Sequence, residues 1–193
     1  MNTRNTTFRR LATVSALSAV GAVALAGAAA ADTAVFTDAR GDLNHGADIH
    51  RVRVVNEDQV KIKVVHDDLV RSYKSGSSIS VFIDTDRTRK GPEFVFLGGT
   101  FEGSDYALLR ADGWKRASDR QVPLRGGTYS MKLDYAKDTA LIRIDRVVLR
   151  DPGAVRVEVK TGGELVAEGD EPATTEVDWL GKRRDFTPWV KRG

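Results

Sequence analysis

The sequence contains no cysteine, so neither a disulfide nor a thiolate metal site can hold it together. A cysteine nucleophile and a lipid-modified cysteine are excluded for the same reason. No Gly-x-Ser-x-Gly elbow is present, and no other nucleophile–base pattern stands out. Only 5 prolines, 3 histidines and 3 tryptophans occur in 193 residues. Beyond the first thirty residues there is no long apolar run, and no stretch keeps the 3.6-residue period of an amphipathic helix. One sign of charge is not in excess, with 30 Lys+Arg against 27 Asp+Glu. A nucleic-acid binder needs a basic surplus on one face, so the balance argues against nucleic acid as partner. A local basic run remains at Lys182-Arg183-Arg184.

The first segment reads as a leader. Met1 to Arg10 carries Arg4, Arg9 and Arg10 and no acid; Leu11 to Ala26 is apolar and small; Ala28 to Ala31 offers an A-x-A-like cut. This is the pattern of a signal peptide over residues 1–31, cleaved just before Asp32, and it places the chain outside the cell. Its apolar stretch falls short of the ~20 residues that span a bilayer, so no membrane span is expected after cleavage. Losing its three arginines leaves the two signs even. About 160 residues then remain, the size of one domain able to bury a core without staples.

From residue 32 onward the signal is alternation. Ile79, Val81 and Ile83 alternate with Ser78, Ser80, Phe82 and Asp84, the period of a strand. Phe82 interrupts the polar side, which predicts that both faces of this strand are covered. Asp48 to His66 predicts a hairpin turning at Asn56-Glu57-Asp58, with Val54 opposite Val60, Val52 opposite Ile62, and Asp48 opposite His66. Further short runs at Phe94–Leu97, Tyr106–Arg110, Trp114–Val122, Tyr129–Tyr135, Ile142–Ile144 and Val155–Val159 are separated by turn residues. Residues 32–46 read as a carboxylate-rich loop. Such spacing predicts an all-β protein, an antiparallel β-sandwich of jelly-roll-like order in a single domain, 32–193.

Two constellations bear on chemistry. Asp38, Asp42 and Asp48 with Asn44 crowd one loop, and Asp84 and Asp86 sit at a strand end. Calcium takes six to eight oxygens of this kind; the same residues equally cap turns. The histidines His45, His50 and His66 with Asp48 could hold zinc, or Asp48 pairs across the hairpin with His66 while His50 packs at the sheet margin. The loop Asp84–Gly91 is the best address for a ligand, with Asp86, Arg87 and Arg89 as polar contacts. Trp114 and Trp189 are the aromatic surfaces a sugar ring would stack on. Trp179 reads as an anchor for the tail.

The order Asp38-x-x-Gly41-Asp42, then Asp48-Ile49, then Val81-Phe82-Ile83-Asp84-Thr85-Asp86, then Gly103-Ser104-Asp105-Tyr106 resembles family 9 carbohydrate-binding and DOMON-like modules. The resemblance implies a jelly-roll-like sandwich, a glycan as ligand and, in some members, structural calcium. Three functions stay open: a non-catalytic module for a glycan or envelope component; an extracellular structural or interaction protein without a small ligand; and a hydrolase whose paired carboxylates the sequence does not single out.

Overall fold

A computed structural model describes residues 32–41, 43, 47–115, 120–165 and 174–193. The leader, Asp42, Asn44 and His45 lie outside the described residues. No helix among those described is long and apolar enough to cross a membrane.

The alternating runs become strands: β1 Asp32–Thr37, β2 Ile49–Asn56, β3 Gln59–His66, β4 Ser78–Asp84, β5 Phe94–Gly99, β6 Tyr106–Arg110, β7 Tyr129–Asp134, β8 Thr139–Asp145, β9 Ala154–Leu165, β10 Thr174–Trp179 and β11 Val190–Lys191. They form two antiparallel sheets. The first has the order β1-β2-β3-β8-β7, the second β10-β9-β4-β5-β6, with β11 also pairing β9. The chain crosses between sheets after β3, β6 and β8, so a later strand closes each half-built sheet, as in jelly rolls. The fold is an all-β antiparallel sandwich, as the alternation predicts.

Between the sheets lies one aliphatic layer. Val52, Val54, Val60, Ile62, Val64, Ile142 and Ile144 face Ile79, Val81, Ile83, Phe96, Leu108, Val155, Val157 and Val159, all buried. Burying each such side chain is worth roughly 1.5–3 kcal/mol. Phe96 stacks on Tyr106 at 5.6 Å and meets Tyr129 edge-on at 6.2 Å, closing the layer along the β6–β7 margin.

The hairpin keeps its predicted faces but not its predicted register. Val54 pairs with Ile62 and Val52 with Val64, a slip of two residues. An even slip leaves the apolar face unchanged, so periodicity alone cannot detect it. A β-bulge between Ile49 and Arg51 then adds one residue to β2. Past it the phase inverts: Ile49, not His50, enters the core, and Ile49 rather than Asp48 stands opposite His66.

Other departures come from edges. Asp32–Thr37, expected as loop, adds to β2 as an edge strand. Leu109 and Gln121 make an isolated bridge where the sequence suggests a strand Trp114–Val122, whose residues 116–119 lie outside the described ones. Past Thr161 the chain continues β9 to Leu165 and returns as β10.

Buried polar groups stitch the sheets at both ends. At one end Arg146, at the start of a 3-10 turn, donates from Nη1 to Asn56 Oδ1 at 2.6 Å, from Nε to Asp151 Oδ1 at 2.9 Å, and from Nη2 to the Pro152 carbonyl. Asn56 Nδ2 donates onward to the Val190 carbonyl at 2.9 Å. At the other, the Ile49 amide donates to Asp178 Oδ2 at 2.7 Å and Thr161 Oγ1 to the Ala47 carbonyl at 2.8 Å. Replacing Arg146 by Met leaves Asn56 Oδ1 and the Pro152 carbonyl buried without this donor. We expect Arg146→Met to lose about 3 kcal/mol in urea unfolding with an unchanged m-value; a loss below about 0.5 kcal/mol would show the network contributes nothing net.

Candidate functional site on the outer face of the second sheet

The five aspartates considered for calcium do not converge. Asp84 lies across from Arg156 on β9, and Asp178 across from Thr161, five residues further along. At about 3.3 Å per residue that separates the two ends by roughly 17 Å. Asp38 and Asp48 belong to the Asp178 end: the Gly181 amide donates to Asp38 Oδ1 at 3.1 Å, and the Gly41 amide to Asp48 Oδ2 at 2.9 Å. Asp38 Oδ2 and Asp48 Oδ1 are buried without a partner. At the other end Asp84 is fully buried, and Arg156 donates to its Oδ2 from Nε at 2.8 Å and Nη2 at 2.6 Å. Its Oδ1 accepts the Asp86 amide at 3.1 Å. Asp84 is thus a strut between β4 and β9.

Asp86 shapes the loop after β4. Its Oδ1 accepts from Thr88 Oγ1 at 2.6 Å and Thr88 N at 2.9 Å, and these bonds hold its carboxyl below the usual range. Gly91, at φ +88°, lies against the next turn: a Cβ there would come within 2.8 Å of Gly113 Cα. Of the ligand residues expected in this loop, Asp86 and Arg87 share a hollow of about 470 Å³ with Trp189. Arg89 turns out to an exposed pair with Asp112 at 2.8 Å.

Neither Trp114 nor Trp189 is a free platform. The Arg87 and Arg156 guanidinium groups each lie 4.7 Å from the Trp189 ring centre. Arg156 also lies 4.7 Å from Phe186, which meets Trp114 at 4.9 Å. Trp114 meets Phe82 at 5.2 Å, and Phe82 stacks on Trp179 at 5.9 Å. Lys160 and Arg183 reach the Trp179 ring at 5.8 Å. A chain of four contacting rings, with Trp189 joined through Arg156 and cations at both ends, therefore covers part of the second sheet's outer face, each contact worth about 0.5–2 kcal/mol. In the sequence this cluster shows as Phe82's break in the alternation and as the three tryptophans; Phe186, Arg183 and Arg184 join through the tail, which no periodicity reveals.

Beneath this cover is Glu158, opposite Phe82 on β9 and fully buried. Its Oε1 accepts the Arg184 amide at 2.8 Å, and its Oε2 has no partner. Burial pushes its carboxyl up to about 8, so at neutral pH it is mostly the uncharged acid. At the far end His66 is 1% exposed, with Nδ1 3.2 Å from the Ala47 carbonyl; burial lowers it to about 4, so it stays neutral. His50 Nε2 lies 3.2 Å from Asp48 Oδ2 and 3.5 Å from Asp67 Oδ1. Asp48 thus partners His50 rather than His66. Among the described residues no three His, Asp or Glu side chains form a metal-binding group, and His45 lies outside them.

Another part of this outer face is open. Two hollows, of about 630 and 180 Å³, meet over Ser78 and Ser80 of β4. Leu97, Ala107, Asp105 and Gln121 line one, and Lys160, Gly162, Thr175 and Val177 the other. The trough crosses all five paired strands, from β6 to β10. Short hydroxyls on its floor leave room for a ligand, and amide, carboxylate and ammonium groups stand at its sides.

No family model matches the chain, and no curated protein is similar to it in sequence.

Two of the buried titratable groups, Glu158 and His66, set opposite pH slopes. Glu158, raised from 4.5 to about 8, contributes stability that is whole below pH 4.5 and lost as pH rises to 8. His66, lowered from 6.5 to about 4, contributes stability that is whole above pH 6.5 and lost as pH falls to 4. Glu158→Gln removes the first slope. Its stability relative to wild type should therefore rise by about 1.4 kcal/mol per pH unit between pH 5 and 8. Parallel melting-temperature profiles for the two proteins would contradict the assignment.

Proposed function

We propose that the chain is an exported, non-catalytic binding module that takes a glycan or another envelope component in the trough over Ser78 and Ser80. The trough is the observation that carries this reading. It is long enough to cross five strands and mixes short hydroxyls with aliphatic Leu97, Ala107 and Val177. Sugars present both chemistries, hydroxyls at ring edges and C–H groups on ring faces, and ordered polar groups beside apolar floor suit them. The motif resemblance to family 9 carbohydrate-binding and DOMON-like modules points the same way. The ligand moves from Trp114 and Trp189, which the expectation favoured, to the floor they leave bare, because Arg87 and Arg156 already engage the Trp189 ring and Trp114 lies between Phe82 and Phe186. Glycan-array screening followed by calorimetry should find a ligand that Ser80→Trp, which fills the trough from an outward-facing position, weakens at least tenfold at unchanged melting temperature. No retained glycan, or full affinity in Ser80→Trp, would sink the reading.

A second reading concerns calcium. Two buried carboxylate oxygens without a partner, Asp38 Oδ2 and Asp48 Oδ1, sit where the loop after β1 meets the tail. A hard cation with carboxylate and backbone carbonyl ligands suits such oxygens. Asp84 and Asp86 have no part in it, and Asp42 lies outside the described residues. Bound calcium would neutralise two buried charges and tie this loop down, a structural role. Millimolar calcium should raise the calorimetric midpoint by about 5–10 °C over chelator-treated protein, and Asp48→Asn should abolish the shift. Superimposable transitions with and without calcium end the idea.

A further inference from the structure

The outer face of the first sheet carries a second, unlike surface. Reading across the strands, Arg53 of β2 stands directly opposite Lys63 of β3, which is followed by Leu141 of β8 and Lys132 of β7. In the next row Val55 is followed by Lys61, Arg143 and Ser130. Two like-charged pairs, Arg53–Lys63 and Lys61–Arg143, thus face each other across adjacent strands. Only Lys61 has an ion-pair partner, Glu57 at 2.8 Å; Arg53, Lys63, Lys132 and Arg143 have none among the described residues.

This arrangement costs stability. Like charges directly opposite on a sheet repel, and one Glu at either position would turn each repulsion into attraction. A face that only confers solubility intersperses both signs, and the chain has nearly as many acids as bases to draw on. The cations also form a band. At about 4.8 Å between strands, the row from Arg53 to Lys132 spans three intervals, roughly 14 Å across the sheet. Leu141, Val55 and Val65 are partly exposed within or beside it, and a hollow of about 290 Å³ opens between Arg53, Lys61, Lys63 and Leu141, lined also by Glu57, the partner of Lys61.

From this band we infer an anion-binding surface for a linear acidic polysaccharide, separate from the trough on the opposite sheet. A band, rather than an even spread, matches a linear chain of charges. A lipid surface has no direction, whereas the cations here run in a band; the one protruding apolar side chain in the Arg53 row is Val35 of β1. The aliphatics set sugars apart from polyphosphate or nucleic acid backbones: they offer a surface for ring C–H groups, while the flanking guanidinium and ammonium groups take the carboxylates.

Polygalacturonate is the probe, titrated against the full chain at increasing salt, beside a neutral glucan, duplex DNA and phosphatidylglycerol vesicles. Polygalacturonate should bind at least tenfold more tightly than the other three, with affinity falling steeply as salt rises. The variant Arg53→Ser/Lys63→Thr/Arg143→Thr should lose tenfold or more of that affinity while melting no lower than wild type, because repulsion is relieved. Ser80→Trp should bind polygalacturonate as wild type does, which keeps this outcome distinct from that of the trough. Absence of polygalacturonate binding, an unaffected triple variant, or equal binding of DNA or vesicles overturns the inference.

Discussion

Everything in this molecule hangs on one aliphatic layer that must be sealed without covalent help. Valine and isoleucine on β2, β3 and β8 meet valine, isoleucine and phenylalanine on β4, β5 and β9, and no disulfide backs them up. Burial is non-directional, so by itself it would tolerate sliding of one sheet over the other. The polar stitches remove that freedom. Arg146 with Asn56 at one end, and Asp178 and Thr161 at the other, each bond a backbone or side-chain group that would be costly to leave unpaired in the interior. They hold the layer in a single alignment.

The outer faces then diverge, and the reason is local. On the second sheet β4 and β9 turn Phe82, Arg156, Glu158 and Lys160 outward, and the tail folds back to cover them with Trp179, Phe186 and Trp189. Covering is what buries Glu158 and Asp84. The two acids are held differently: Arg156 donates two hydrogen bonds to Asp84, while Glu158 accepts only from backbone amide and burial pushes its carboxyl up. Where the tail stops, beyond Lys160, the sheet is bare and the trough begins. The trough is therefore the remainder of a face that the chain otherwise spends on its own tail. The first sheet has no such cover, and its basic side chains stand in water.

This division also explains where the tryptophans belong. A tryptophan that stacks on sugar needs one open ring face. Trp189 has two guanidinium groups at 4.7 Å, and Trp114 lies between Phe82 and Phe186. They fix where the cover ends and so where the floor of Ser78 and Ser80 opens.

Local residue pattern is enough to tell which side chains point inward. Strand alternation is a local property of the backbone, so Val60, Ile62, Val64, Ile79, Val81 and Ile83 could be placed in the core before any pairing was known. The same locality made Phe82 visible as an exception. Tertiary structure alone decided how far strands slide, where a bulge inverts the phase at His50, and which charges share a neighbourhood. The aspartates show it best: Asp48 just precedes β2 and Asp84 closes β4, and the fold sets them at opposite ends of the sandwich. Arg53 and Lys63 lie ten residues apart along the chain and directly opposite in the sheet. Pairing register, strand order and the path of the tail depend on contacts between segments distant in sequence, and no short-range pattern encodes those.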